Sequence, residues 1–133
     1  MEGSSGLHLV FVYGTLLGNG GNHRILATGE PLGPASTPPH YHLVDMGGYP
    51  AMVVGGETAI QGAVYRVDDR TLALIDDLEG HPDYYQRQHV RLRDGRRALA
   101  YLLPPARARL RPVIESGDWQ SHDPVRGNDG DAI

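Results

Sequence analysis

The chain has 133 residues, of which 40% are hydrophobic, and this fits one compact domain with little room for a second. Its 12 basic residues stand against 16 acidic ones, so the formal net charge is -4 and the basic surface of a nucleic-acid-binding protein is excluded. Because the chain has no cysteine, disulfide frameworks and cysteine-based catalysis or zinc binding are excluded as well.

Neither a membrane anchor nor an export signal is recognisable in the sequence. The longest apolar run falls far short of the roughly 20 residues that span a bilayer. Residues 1–6 lack the basic and long apolar parts of a signal peptide, and we expect them to be flexible. These features predict a cytoplasmic protein whose partner is a small molecule or another protein, with no nucleic acid and no membrane involved.

The first half of the chain predicts strands. Leu7 to Tyr13 is rich in β-branched and aromatic residues and stops at a glycine, which indicates a strand that is buried on at least one face. Leu16 to Gly33 is predicted to be a loop with a short helix around Asn22 to Ala27, because five glycines interrupt it. Two short strands, Tyr41 to Val44 and Ala51 to Val54, then flank a turn with two glycines and a proline.

A strand and the clearest helix follow. Gln61 to Val67 alternates well enough for a strand. In the next segment three apolar residues recur every three positions, which predicts a helix that Asp69 caps and Gly80 ends; they are Leu72, Ile75 and Leu78.

The last patterned segment predicts a hairpin. His89 to Arg93 and Arg97 to Leu103 alternate on either side of Asp94-Gly95, a common short-hairpin signal. Beyond Pro104 the pattern weakens to one short helix, and residues 120–133 have too few apolar side chains to fold, so we expect them to be disordered.

These elements predict the α+β class. Strands dominate and the one clear helix lies between them, so we expect a small mixed sheet curled into a barrel with helices at its periphery. A doubly wound α/β fold is unsuited to the pattern because helices do not alternate with strands. The predicted domain spans residues 7–119.

The end of the first strand is the first candidate for chemistry. Tyr13-Gly14-Thr15-Leu16 can present backbone N–H groups to a carboxylate or an oxyanion, since glycine lets the chain turn without a Cβ in the way. On these four residues alone, a plain surface loop is an equally good interpretation.

Glu79, at the end of the predicted helix, is the second candidate. The negative end of the helix dipole and two nearby aspartates predict a raised pKa for this carboxyl, which suits a general base. A solvated surface glutamate is the commoner role for a residue in this position. For Tyr84 and Tyr85, just downstream, packing of a ring against the sheet is likewise the commoner role.

Two other kinds of site find little support. His40 and His42 would share one face of a strand, but no third ligand has the spacing of a metal motif, and we reject a metal site. No serine lies in a nucleophile-elbow motif, so serine hydrolase chemistry is not expected.

Taken together, the motifs resemble those of the γ-glutamyl cyclotransferase-like family, which includes γ-glutamylamine and butirosin-type cyclotransferases. The matching segments run in the family's order from about Leu7 to Trp119, and YGTL together with the downstream DLEG and YxR is the most specific combination; the segments are VFVYGTL, GGYPAMV, QGAVYRV, LIDDLEG, YYQR, ALAYLL and SGDW. The resemblance favours the functional interpretations of Gly14 and Glu79 over the plain ones.

The resemblance implies a reaction that needs no cofactor and no metal. In the family, the α-amine of a γ-glutamyl amide attacks its own γ-carbonyl, which releases 5-oxoproline and a free amine. Glu79 would be the general base and then the general acid. Substrate binding would fall to the backbone N–H groups of three residues and to the side chains of three others; these are Gly14, Thr15 and Leu16, and Tyr13, Tyr85 and Tyr101.

Several questions stay open at this level. A non-catalytic small-molecule-binding or regulatory protein of the same fold is the main alternative, and an interaction module is a weaker one. Candidates for the leaving amine are an amino acid, the ε-amine of a crosslinked lysine and an aminoglycoside side chain, and the cluster of Asp76, Asp77 and Asp83 mildly favours a cationic one. No segment has the pattern of a subunit interface, so we expect a monomer.

Overall fold

The computed structural model describes residues 6–14 and 29–121, which form one helix and seven strands. The helix is α1 (Asp69–Glu79), and the strands are β1 (Leu7–Val12), β2 (Glu30–Ser36), β3 (Tyr41–Asp45), β4 (Pro50–Val54), β5 (Gln61–Asp68), β6 (Gln86–Arg91) and β7 (Arg97–Leu102). Short 3₁₀ turns follow at Pro105–Ala108 and Trp119–Ser121. The predicted α+β class is confirmed.

All seven strands belong to one mixed sheet. Its order is β2-β5-β1-β7-β4-β3, and β6 is an additional partner of β7. Strand β1 runs antiparallel to β5 and parallel to β7, which in turn runs parallel to β4 and antiparallel to β6. Since a strand has only two hydrogen-bonding edges, two of the three partners of β7 share one edge. The sheet therefore branches at β7, and within the described residues it is not the closed barrel we expected.

Strand β1 lies at the centre of the packing. Alternate side chains point to opposite faces of a strand, and Val10 and Val12 belong to a buried cluster that also holds Leu72 and Ile75 of the helix. Phe11 belongs to a second cluster, together with side chains of β3, β4 and β7. Both faces of this strand are covered, which explains its nearly continuous apolar sequence.

The helix is capped at both ends. The Asp68 carboxylate accepts a hydrogen bond from the Thr71 backbone N–H at 2.8 Å, so Asp68 is the N-cap and the prediction of Asp69 was wrong by one residue. Asp69 is instead the first residue of the helix itself. Gly80 ends the helix as predicted, in the left-handed conformation with φ 70°, and the His81 N–H reaches back to the Asp76 carbonyl at 3.0 Å.

Strand β2 is the element that the sequence pattern missed. Its first four residues fall in the segment predicted as a loop, because Pro31, Gly33 and Pro34 are typical of loops. The strand tolerates them because it lies at one end of the sheet order, next to β5, with a register shift between Pro31 and Gly33. The short helix predicted around residues 22–27 and most of the predicted disordered tail lie outside the described residues.

The hairpin prediction was right, with shifted bounds. Strands β6 and β7 pair with Arg91 opposite Arg97, and the turn between them contains Asp94 and Gly95. Strand β6 begins at Gln86, three residues before the predicted His89, because the exposed polar residues at its start hide its alternation.

Replacing Asp68 by alanine is expected to lower the melting temperature by a few degrees, because the N–H of Thr71 loses its acceptor. Asp68→Asn keeps an acceptor and is the matched control, expected to melt close to the wild type. Hydrogen bonds from Thr71 lower the pKa of Asp68, so its contribution is present at neutral pH and is lost as acid protonates the carboxylate. Thermal melts across the acid range test this, and an Asp68→Ala deficit that stays constant down to low pH would contradict it.

Candidate active site

Four parts of the fold surround one cavity of about 340 Å³. They are the end of β1, the end of α1 with the loop that follows it, the start of β4 and strand β7. Aromatic and aliphatic side chains supply most of the wall, and one carboxyl group lies among them; the lining residues are Phe11, Val12, Tyr13, Gly14, Tyr49, Pro50, Leu78, Glu79, Tyr84, Tyr85 and Tyr101.

Glu79 supplies that carboxyl group. It is the last residue of α1, immediately before Gly80 turns the chain away from the helix axis. Burial raises its pKa from the ordinary 4.5 to about 7, because the carboxylate gives up hydration in this setting. The predicted direction is confirmed, but the cause is desolvation rather than the helix dipole and neighbouring aspartates.

Tyr13 is fixed in the wall of the cavity by two hydrogen bonds. Its hydroxyl donates to the Tyr101 carbonyl at 2.6 Å and accepts from the Met52 N–H at 3.1 Å. Burial raises the pKa of Tyr13 far above its usual value, so the phenol stays neutral. These bonds join the end of β1 to β7 and β4, which keeps the three strands together beside Glu79.

The other two predicted tyrosines are fixed in the same way. The Tyr85 hydroxyl donates to the Pro50 carbonyl at 2.7 Å, and the Tyr101 hydroxyl donates to the Asp76 carboxylate at 2.6 Å. Burial is the main reason that the pKa of each is strongly raised. Both side chains line the cavity, but the hydroxyl groups that the sequence predicts as substrate contacts donate their protons within the protein instead.

Asp76 lies one helical turn before Glu79 and has two partners. It accepts from Tyr101 and forms an ion pair with Arg87 at 2.5 Å. Tyr101 and Arg87 belong to β7 and β6, so this network fixes the end of the helix on the sheet. The YxR segment of the sequence therefore has a structural role: its tyrosine lines the cavity and its arginine holds the helix.

Gly14 lies against the ring of Pro50. A Cβ on Gly14 would be only 2.8 Å from the Pro50 Cγ, which is closer than real side chains approach. The glycine is required for this contact rather than for an unusual backbone angle. Thr15 and Leu16 lie outside the described residues, so the binding of substrate by three consecutive N–H groups stays a prediction.

Sequence reasoning overlooked much of the cavity wall. Tyr49 and Pro50 belong to the GGYP segment, whose sequence predicts a turn and matches the family, and Tyr84 belongs to the HPDYY segment, which the sequence predicts at the rim of the site. The sequence does carry a signal, because an aromatic residue next to a proline in a glycine-rich turn is an unusual choice for a purely solvated turn. Leu78, one of the apolar repeats that predict the helix, also lines the cavity.

Within residues 6–14 and 29–121, no three His, Asp or Glu side chains come together as a metal site would require. His40 and His42 do not line the cavity. Among the same residues, no helix has the length and apolar character needed to cross a membrane.

The residues that line the cavity, Glu79 among them, lie within a segment that matches a known protein family. The family model of γ-glutamyl cyclotransferase, AIG2-like proteins matches residues 10–121. The chain belongs to this family. The resemblance of the motifs is thereby confirmed over the whole cavity, and Gly14 and Glu79 both fall within the matched residues.

Relatives of this γ-glutamyl cyclotransferase-like chain occur in bacteria and animals. A Vibrio cholerae protein, named provisionally as a γ-glutamylcyclotransferase, is 43% identical over 84% of this chain and 95% of its own length. The bovine γ-glutamylaminecyclotransferase is 35% identical, with coverage of 96% and 85%. The solution structure of Escherichia coli YtfP superposes with a TM-score of 0.67 at 35% identity, covering 87% of this chain and 99% of that one.

The contact between Gly14 and Pro50 predicts a compensating pair of variants. Gly14→Ala is expected to destabilise the protein by about 1–3 kcal/mol, because the new methyl group overlaps the proline ring. Pro50→Ala removes the ring but keeps the carbonyl that Tyr85 uses, so the double variant should recover most of the loss. Chemical denaturation of the four proteins measures the coupling. Additive effects in the double variant would contradict the contact.

The raised pKa of Glu79 predicts that the wild type loses stability in base. Below pH 4.5 the carboxyl is protonated in both the folded and the unfolded chain, and its contribution is lost as pH rises through about 7. Glu79→Gln cannot ionise, so it should melt several degrees above the wild type in mild base and close to it in acid. Glu57→Gln, at an exposed glutamate, is the control and should show no such pH-dependent gain.

Proposed function

We propose that this chain is a γ-glutamyl cyclotransferase, which converts a γ-glutamyl amide into 5-oxoproline and a free amine. The observation that carries the proposal is the largely buried carboxyl of Glu79, with its pKa of about 7, in a mostly apolar cavity beside the end of β1. Membership of the family and the names of the relatives support the same activity.

The reaction needs a group that both takes and returns a proton. The α-amine of the substrate attacks in its neutral form, and free α-amines have a pKa of about 7.7–8.0. As its nitrogen bonds to the γ-carbonyl carbon, the nitrogen becomes acidic and gives one proton to the Glu79 carboxylate. Glu79 then protonates the departing nitrogen as the amide C–N bond breaks, and the carboxylate is regenerated. Protons balance within the active site, and water is not consumed.

A pKa near neutrality suits both halves of this cycle. An ordinary glutamate, with a pKa of 4.5, would be a poor acid toward the departing nitrogen at neutral pH. A carboxyl that titrates at about 7 accepts and donates a proton at similar cost. The amine is tethered close to its own γ-carbonyl when the glutamyl group folds back in the cavity, and this proximity favours ring closure over attack by water.

The rest of the cavity would orient the substrate. Its volume of about 340 Å³ suits a folded-back glutamyl group, whose amine must approach its own γ-carbonyl. The backbone N–H groups from Gly14 onward are our proposal for the α-carboxylate or the developing oxyanion. Tyr13, Tyr85 and Tyr101 would contact the substrate mainly through their rings, since their hydroxyl protons are bonded within the protein.

Glu79→Gln is expected to lower kcat/KM for 5-oxoproline release by about 100-fold or more, because the proton shuttle is removed. The assay follows 5-oxoproline from γ-glutamyl-alanine and γ-glutamyl-ε-lysine. In the wild type, activity should rise with pH through about 7 as the carboxylate forms. The residual activity of Glu79→Gln should increase with pH only as the α-amine of the substrate loses its proton.

Glu57→Gln controls for loss of an acidic side chain and should keep wild-type activity. Near-normal turnover by Glu79→Gln would refute the role of the carboxyl. A folded wild-type protein that releases no 5-oxoproline from a broad panel of γ-glutamyl amides would refute the function and favour the non-catalytic alternative.

A further inference from the structure

The last turn of α1 carries Glu79 but has little apolar packing to hold it. The buried side chains of this helix all lie in its first two turns; they are Thr71, Leu72 and Ile75. In the last turn Asp77 and Leu78 are exposed, and Asp76 is only partly buried. Apolar burial therefore fixes the start of the helix, and the end that carries the carboxyl must be held in another way.

The Glu79 carboxyl has no partner of its own in the described part of the chain. No hydrogen bond or ion pair joins it to residues 6–14 or 29–121, and burial is the cause of its raised pKa. Its position in the cavity is therefore set by the backbone of the helix that carries it. Small shifts of that backbone matter, since a catalytic group misplaced by about 1 Å can cost about 100-fold in rate.

Arg87 of β6 fixes this end of the helix from the sheet. Its guanidinium forms an ion pair with Asp76 at 2.5 Å, and its backbone N–H donates to the Nδ1 atom of His81 at 3.0 Å. Asp76 and His81 lie on either side of Glu79 in the sequence. One residue of the sheet thus binds both the turn that carries the carboxyl and the turn that follows it.

Charge makes the contact with Arg87 favourable. The C-terminal end of a helix carries a partial negative charge, which a nearby cation stabilises. The last turn of α1 has no basic residue and three acidic ones; these are Asp76, Asp77 and Glu79. The side chains of Arg87 and Asp76 are 29% and 23% exposed, so water screens their ion pair less than it would screen one on the surface.

Tyr101 connects the same contact to the cavity. Its hydroxyl donates to the second oxygen of Asp76 at 2.6 Å, and its ring lines the cavity. The His81 ring meets the Tyr101 ring edge-on, with the two centroids 6.4 Å apart. Arg87 and Tyr101 are paired residues of β6 and β7, so the helix end, the following turn and the cavity wall all meet at this point of the sheet.

We propose that Arg87 is a positioning residue of the site: by binding Asp76 and His81, it holds the last turn of α1 so that the Glu79 carboxyl stays inside the cavity. The inference rests on the proposed cyclotransferase function, in which Glu79 transfers the proton. Arg87 does not line the cavity, so it acts through the helix rather than on the substrate.

The ion pair is the main charged feature beside Glu79 in the described structure. The other polar side chains that face the cavity are tyrosines from β1, β7, the turn before β4 and the loop after α1, and they are uncharged at neutral pH; they are Tyr13, Tyr101, Tyr49, Tyr84 and Tyr85. Asp77 is exposed, and Arg107 stacks on the Tyr84 ring. Removing both charges of the ion pair together therefore leaves the charge around Glu79 nearly unchanged.

A variant that removes the anchor in this balanced way tests the inference. In Asp76→Asn/Arg87→Gln both charges are lost together, and the asparagine can still accept from Tyr101. The kcat for release of 5-oxoproline from γ-glutamyl-alanine should fall about 10-fold to 100-fold, because the carboxyl is displaced. KM should stay within about threefold of the wild type, because the rest of the wall is intact. Arg87→Lys keeps the charge and should lose less.

The titration of Glu79, followed by carbon NMR without substrate, separates positioning from general damage to the fold. In the double variant the midpoint should fall from about 7 toward the ordinary 4.5, because a loosened turn lets water reach the carboxyl. A purely structural ion pair would lower the melting temperature and leave the midpoint near 7. Asp94→Asn/Arg96→Gln removes an ion pair in the hairpin turn and is the matched control, expected to leave kcat and the midpoint unchanged.

The outcomes distinguish the inference from the function on which it rests. A double variant with wild-type kcat, or with a midpoint that stays near 7, overturns the inference, although the cyclotransferase function stands. If the wild type releases no 5-oxoproline from any γ-glutamyl amide tested, the function is refuted, and the midpoint alone decides whether Arg87 positions the carboxyl. If the double variant does not fold, Arg87→Lys replaces it: lowered kcat and midpoint support the inference, and wild-type values overturn it.

Discussion

The burial of one carboxyl group, that of Glu79, is the constraint around which the site is organised. An ionised carboxylate is costly to remove from water, and the fold holds Glu79 where desolvation brings its pKa to about 7. Ionisation of Glu79 therefore lowers the stability of the folded protein as the pH rises through about 7. Burial also gives the carboxyl a proton affinity that suits a group required to accept and return a proton at neutral pH.

The surrounding structure is what keeps the carboxyl in place. The α1 helix ends at Gly80, and Asp76, one turn earlier, is anchored to β6 and β7 through Arg87 and Tyr101. On the opposite side, Tyr13 binds β7 and β4 with its hydroxyl, and Gly14 packs directly on Pro50. The sequence suggests the tyrosines of the cavity as substrate contacts, but the hydroxyls of Tyr13, Tyr85 and Tyr101 donate their hydrogen bonds within the protein.

Much of this arrangement can be predicted from the sequence, for identifiable reasons. The helix, the hairpin and β1 have strong periodicity or clear end signals, and the motif around Glu79 is specific enough to indicate the family. Strand β2 is missed because its prolines and glycine are typical of loops. They are tolerated only because the strand lies at one end of the sheet, and a local sequence pattern does not show that position. The role of Tyr49 is missed for the same kind of reason, since its partner Tyr84 is 35 residues away and the two meet only in the folded chain. Burial causes the raised pKa of Glu79, and burial depends on the tertiary structure rather than on the neighbouring charges in the sequence.

A direct titration of the Glu79 carboxyl tests the central claim most simply. Carbon NMR of the wild-type protein labelled at its glutamate side-chain carboxyls, with Glu79→Gln used to assign the resonance, follows this one group across the pH range without any substrate. The account predicts a midpoint at about 7, well separated from the exposed glutamates. A midpoint close to 4.5 would show that the carboxyl is solvated, and would contradict both the proton-shuttle role and the description of the cavity on which it depends.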